Sequence, residues 1–206
     1  MTAVIGGQKY RGRRAATLDN EHIRVTVLVE GGHVAEIFDK ASGVSPLWTP
    51  PWQSIEPSTF NRSVDGDVYG KGSDGRLLAG IMGHTLCLDI FGGPSPEEAD
   101  AGMTAHGDAS VVAYDIRADG ESLLEENHSR TASPWCGSTL TRGMEFGASP
   151  FPENRRAMVE RGRLFDAPTF RWLPANGVLE TTYWIVLQTR TSIPDGISPP
   201  YYGAES

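Results

Sequence analysis

Three short stretches of the sequence gather side chains able to move a proton. In Ala105-His106-Gly107-Asp108-Ala109 a histidine stands before an expected strand, beside a glycine that lets a ligand approach the backbone closely. In Glu126-Asn127-His128-Ser129-Arg130, with Pro134-Trp135 just beyond, an imidazole is flanked by charge and followed by a flat aromatic surface. In Arg142-Gly143-Met144-Glu145-Phe146-Gly147 a carboxylate interrupts an apolar strand pattern. Burying it ionised between Met144 and Phe146 is costly, so it must face a solvated cleft or carry a raised pKa, which is how a general base near neutrality is made. Plainer readings stay open beside these. His106 at a strand start can simply bond a loop carbonyl, period-two alternation can turn Glu145 to solvent, and Trp48, Trp52, Trp135 and Trp172 suit a core as well as a sugar platform.

Other constellations fail on spacing. Gly66-Asp67-Val68-Tyr69-Gly70-Lys71 brings its first glycine one residue too near the lysine for a phosphate-binding loop, Gly72 replaces the hydroxyl, and no helix is expected after it. Asp65 to Gly70 opens like a calcium loop, but Tyr69 stands where an oxygen ligand is needed and Arg76 where the bidentate carboxylate belongs. Both read as surface turns. There is no Gly-x-Ser-x-Gly elbow, and His22, His33, His84, His106 and His128 have no zinc-site spacing, so no metal is expected.

The elements that must position these residues read as strands. The chain has 206 residues with a formal net charge of −8, which argues against a nucleic-acid module that works through a basic field. Its 24 glycines and 14 prolines argue against a helical bundle and for short strands joined by tight turns. His22 to Val29 alternates in period two, Glu30-Gly31-Gly32-His33 supplies a turn, and Val34 to Asp39 returns as the second strand of a hairpin. Asp39 to Gly43 is a further turn, and the proline-rich Pro46 to Trp52 is loop or edge. Residues Asn61 to Gly75 read as a long loop, and Pro96 to Ala101 as one helical turn capped by Ser95. Further strands are expected at Leu86–Phe91, Ser110–Arg117, Thr139–Gly147, Thr169–Leu173 and Leu179–Thr189. The fold class is therefore mainly antiparallel β. Neither a secretion signal nor a membrane span is legible, and Cys87 and Cys136 read as reduced thiols, so a soluble, cytoplasmic protein is expected.

The order Glu30-Gly31-Gly32-His33-Val34-Ala35-Glu36-Ile37, Asp39-Lys40, Pro46-Leu47-Trp48, His106-Gly107, Gly143-Met144-Glu145-Phe146 and Ser149-Pro150-Phe151-Pro152 resembles the aldose 1-epimerase, or galactose mutarotase-like, superfamily. The resemblance implies a large antiparallel β super-sandwich that interconverts the α and β anomers of a free hexose without a cofactor. It implies that His106 contacts sugar hydroxyls or the ring oxygen and that Glu145 takes the proton from the C1 hydroxyl. Ring opening needs such a base together with an acid at the ring oxygen, and closure reverses both roles.

Members of that family are longer and carry a second histidine, the usual ring-oxygen acid, in a run of strands between the two motifs. Here His106 and Glu145 stand 39 positions apart. The resemblance therefore implies an incomplete sandwich, one domain over residues 1–206 with an internal deletion near 118–126 and a C-terminal arm at 192–206. His128 is the stand-in for the missing acid. Arg62 and Arg76 are the candidates for the family's substrate-binding arginine, and Asp108 and Trp135 complete the candidate sugar-binding set. The implied partner is a small carbohydrate, with no nucleic acid and no membrane. Open sheet edges would favour a homo-oligomer. The alternative is a relative that binds carbohydrate without turnover.

Overall fold

A computed structural model describes residues 2–88, 90–116, 151–180 and 185, with residues 2–7 through their backbone. Its frame is a four-stranded antiparallel sheet in the order β1 (Thr2–Tyr10), β2 (Arg13–Asp19), β3 (Ile23–Leu28), β4 (Val34–Asp39). Each strand follows its neighbour through a short local turn. Arg11 and Gly12, with φ of 49° and 88°, form the two-residue link between the paired Tyr10 and Arg13, where two positive φ angles suit the strand twist. Asn20 turns β2 into β3 by accepting the His22 and Ile23 amides on Oδ1, both at 2.8 Å. The expected hairpin from His22 to Asp39 is the β3–β4 pair, with Gly31 and Gly32 left-handed in its loop. A bulge at Ala35 breaks the register and lets Val34 pair outward with His84.

Three apolar clusters lie against this sheet and beside it. Ala15, Leu28, Ala35 and Met82 pack together under Tyr10; Trp48, Tyr69, Leu78, Ala79 and Ile81 pack with Trp52, Ile55 and Phe60; Leu77, Ala105 and Val111 form the third. Trp48 and Trp52 meet edge to face at 5.6 Å, and both belong to packing. Trp172, by contrast, is 76% exposed.

The long loop expected at Asn61–Gly75 is instead mostly helical. Helix α1 (Arg62–Tyr69) starts where Asn61 accepts the Ser63 amide, while Asp65 accepts the Asn61 amide in return. These two polar caps favour the helix despite a loop-like composition. The stretch that mimics phosphate and calcium loops lies within and just after α1, so it is not a plain turn, and Lys71 is engaged with Asp67. Helix α2 (Gly75–Gly80) then follows, also unforeseen. A β-carbon at Gly75 would lie 2.2 Å from the Gly70 carbonyl, and one at Gly80 2.5 Å from Pro57, so both glycines are needed for close approach. Helix α3 (Pro96–Asp100) is the expected turn, with Ser95 and Glu98 in a reciprocal capping box.

Three expected strands are not strands over their described residues. Val111 and Val112 both donate their amides to the Asp108 carbonyl, at 3.0 and 3.1 Å, so the backbone donors a ladder would use are spent in a turn, and only Ala113 bridges, to Glu30. Leu86, Cys87, Leu88 and Ile90 run irregularly, with Leu88 wedged against Gly107. Thr169–Leu173 is also irregular, because Thr169 closes the end of helix α4 (Arg155–Arg161) by bonding Gly162 and Met158. A small hairpin, β5 (Arg163–Leu164) with β6 (Ala167–Pro168), lies between them. The strands expected at Thr139–Gly147 and over most of Leu179–Thr189, the segment 118–126 and the arm at 192–206 lie outside the described residues; Leu179, Glu180 and Ile185 are not in strands. No helix among the described residues is long and apolar enough to cross a membrane.

Candidate functional site

Behind the sheet lies a buried polar centre. Arg13 stands two residues before Ala15 on β2, so the alternation that carries Ala15 inward carries Arg13 inward too. It is 1% exposed and gathers four partners: the carbonyl of Glu30 at 2.7 Å, Ser54 Oγ at 3.1 Å, the Gly80 carbonyl, and the Glu56 carboxylate at 3.4 Å. Burial pulls its pKa down and Glu56 opposes the shift, but a guanidinium remains protonated. The C-terminal carbonyls of α2 thus meet a cation, the charge their dipole favours, while the Ala79 carbonyl accepts from Ile55 and Ser54.

Glu30 sits in the same layer. Its carboxylate accepts Arg14 Nη2, the Ser58 amide and the Ser58 hydroxyl, each at 2.7 Å. Burial alone would raise its pKa; the Ser58 and Arg14 bonds outweigh that and hold it below the ordinary value. Glu36 is built alike, with a bidentate Arg24 at 2.9 and 3.0 Å and the Thr26 hydroxyl at 3.0 Å.

Two imidazoles are locked in close by, His33 beside Arg13 and His84 beside His33. His33 is fully buried, its Nε2 2.9 Å from the Ser110 carbonyl. A carbonyl only accepts, so Nε2 carries the proton. Burial, reinforced by Arg13, lowers the His33 pKa to about 3 against the pull of the Ser110 and Gly80 carbonyls. His84, 3% exposed and bridged to Val34, is held far below the usual imidazole range by burial and then by His33. Both rings are neutral at physiological pH.

The His33 bond leads directly to His106. Ser110, whose carbonyl receives His33, donates its own hydroxyl to the Gly107 carbonyl at 3.3 Å. His106 and Gly107 are successive left-handed residues, with φ of 66° and 77°. A β-carbon on Gly107 would lie 1.6 Å from the Leu88 carbonyl, so only glycine fits there. A left-handed histidine costs on the order of 1 kcal/mol and persists only where its surroundings impose it. Here its amide donates to the Gly92 carbonyl at 3.0 Å, the Gly107 amide returns to the Thr104 carbonyl at 3.2 Å, and its ring lies 5.9 Å from that of Phe91.

Gly92 in turn touches Pro152: a β-carbon there would stand 2.4 Å from the Pro152 backbone. Arg155 of α4 faces Glu98 of α3 at 3.9 Å. Pro152 and helix α4 therefore pack against the neighbourhood of the His106 turn.

No family model, curated protein or solved structure matches the chain.

The other sequence candidates distribute unevenly. Asp108 is half-buried one residue beyond Gly107, its carbonyl taken by the following turn. Arg76 lies in α2 with Nε donating to the Pro57 carbonyl at 3.2 Å, and Arg62 is exposed at the start of α1. Glu145, His128 and Trp135 lie outside the described residues. Of the named set, the structure brings His106 and Asp108 into one turn. Among the described residues, no three His, Cys, Asp or Glu side chains come together to hold a metal ion.

Neither Arg13 nor His33 is among the candidate site residues read from the sequence. The signal for Arg13 was its phase with Ala15; for His33 it was the Gly-Gly-His turn opening directly into the buried Val34-Ala35 pair. Chemically, the site offers neutral imidazoles in a preset frame. Enclosed and held far below the imidazole range, His33 and His84 act as fixed neutral parts of that frame and not as general acids or bases.

Proposed function

We propose that this chain is an aldose 1-epimerase-like protein acting at the anomeric carbon of a free hexose, built on an incomplete galactose mutarotase-like sandwich. In this reading Glu145 removes the C1 hydroxyl proton, His106 meets the ring oxygen or a sugar hydroxyl, and His128 replaces the absent ring-oxygen acid. Arg62, Arg76, Asp108 and Trp135 supply sugar contacts. The carrying observation is the His106–Gly107 turn, a histidine held left-handed against a wall that admits only glycine. Strain retained at one histidine marks a position whose geometry matters. Further support comes from Pro152, seven positions after Glu145 in the sequence, lying against Gly92 beside that turn.

Polarimetry of freshly dissolved α-glucose and α-galactose tests the reading. The protein is expected to speed mutarotation above the buffer rate, and Glu145→Gln to lose about 10²-fold or more of that acceleration, the usual contribution of a general base. No acceleration, or an unchanged Glu145→Gln rate, overturns the enzymatic claim.

Carbohydrate binding without turnover is the second reading, favoured by the 39 positions between His106 and Glu145, too short a span for the strands that carry the family's ring-oxygen acid. Calorimetric titration with hexoses separates the two, since saturable heat without mutarotation selects the binder.

A further inference from the structure

The bond between the β3–β4 loop and the His106 turn is unusually direct for two segments more than 70 residues apart. His33 reaches Ser110 with |i−j| of 77, and the bond is fully enclosed. A β-carbon on Gly31 would stand 2.4 Å from His33 Nε2 and 2.5 Å from the Ser110 carbonyl, so the glycine backbone covers the bond and leaves water no access. The segments around it are tied as well: the Gly31 amide donates to the Val112 carbonyl at 2.7 Å and the Tyr114 amide to the Val29 carbonyl at 2.8 Å.

From Ser110 the path continues through one hydroxyl to Gly107. The Gly107 carbonyl also lies 3.0 Å from Thr104 Oγ1, so two hydroxyls converge on the carbonyl that closes the left-handed pair. The His106 ring has little freedom once that pair is set. Its backbone is bonded to Gly92, and Phe91 lies beside it.

We infer that His33 is a positioning residue: by donating to the Ser110 carbonyl it fixes the Ser110 hydroxyl on Gly107 and so sets the orientation of the His106 imidazole. This rests on the proposed role of His106, but the inference concerns geometry and is read without activity. His33 touches no substrate in this account. Burial, with the Arg13 guanidinium beside it, keeps a second proton off the ring, so it acts as a fixed donor and not as a proton carrier.

Long-range nitrogen–proton NMR spectra of the wild-type chain test the first link, whatever any variant does. His33 is expected as the Nε2–H tautomer; an Nδ1–H tautomer overturns the inference. The second link is tested with His33→Leu, which removes the donor, His33→Gln, which retains an amide donor at similar reach, and Ser110→Ala, which keeps the accepting carbonyl but removes the hydroxyl. His33→Leu and Ser110→Ala are expected to lose the Phe91 ring-current shift of the His106 ring protons while leaving the Arg11–Gly12 amides in place. His33→Gln is expected to restore that shift. A folded His33→Leu or Ser110→Ala chain with unchanged His106 signals overturns the inference, and so does a failure of Gln to rescue. If the shifts behave as stated while polarimetry shows no mutarotation, the proposed function fails and the positioning role stands.

Discussion

Individual buried residues in this protein carry charge or titrate, and each leaves a signature. The pKa of His33 and that of His84 are lowered in the fold, so below the ordinary imidazole value the unfolded chain binds more protons than the native one. Their contribution is fully present above about pH 6.5 and drains away as pH falls. Urea unfolding at stepped pH is expected to show each histidine removing about 2 kcal/mol between roughly pH 7.5 and 5. Glu30 and Glu36, whose pKa values are also depressed, add a loss of the same sign only below about pH 4.5. Their separate window lets the imidazole slope be read cleanly, and a flat stability profile from neutrality to pH 5 would contradict the burial of both rings. Arg13→Met is expected to destabilise by about 3 kcal/mol or more in the same assay, because Glu56, Ser54 and two carbonyls lose a shared donor inside the protein. Arg13→Lys cannot restore this, since one ammonium does not reproduce a planar fork with partners on several sides.

At the scale of elements, the test falls on α2. In an ordinary helix, replacing glycine by alanine is favourable by about 1 kcal/mol. Gly75→Ala is expected to do the reverse, lowering the unfolding midpoint, because its methyl meets the Gly70 carbonyl and Phe60, at 2.2 and 2.9 Å. A neutral or stabilising result would mean that the α1–α2 junction is looser than described. The same junction shows why sequence reading succeeds at one place and fails at the next. The β3–β4 hairpin was legible because alternation and β-branched residues agree with the Gly-Gly turn, and α3 because its proline and capping box are local signals. Helix α1 was hidden because Gly66 and two aspartates look like a loop, while the Asn61–Asp65 cap that decides the matter spans only five residues. Ser110–Arg117 misled in the opposite sense. Its valines suit a strand, but Val111 is claimed by Leu77 and Ala105, a tertiary contact absent from local pattern. At the candidate site, the His-Gly pair was legible by residue type; its left-handed backbone and its tie to His33 depend on contacts far apart in the chain.

For the molecule as a whole, the described residues combine a dry interior around Arg13 and His33 with an unusually open apolar stretch beyond α4. Phe165, Trp172 and Val178 are all at least three-quarters exposed. Iodide quenching is expected to reach Trp172 and spare Trp48 and Trp52, so Trp172→Phe is expected to remove a red-edged, quenchable part of the emission; an unchanged quenching curve would show Trp172 to be covered. Among the described residues, the buried charged side chains Arg13, Glu30 and Glu36 are all paired. One guanidinium also has a bearing on time. Arg13 meets residues 17, 41, 43 and 67 positions away, so several loops must close before its partners are assembled. Such a knot belongs to the late side of the folding barrier. In stopped-flow chevrons, Arg13→Met is expected to steepen the loss of the native state through faster unfolding while folding proceeds at nearly its former rate, making this side chain a latch on the lifetime of the fold.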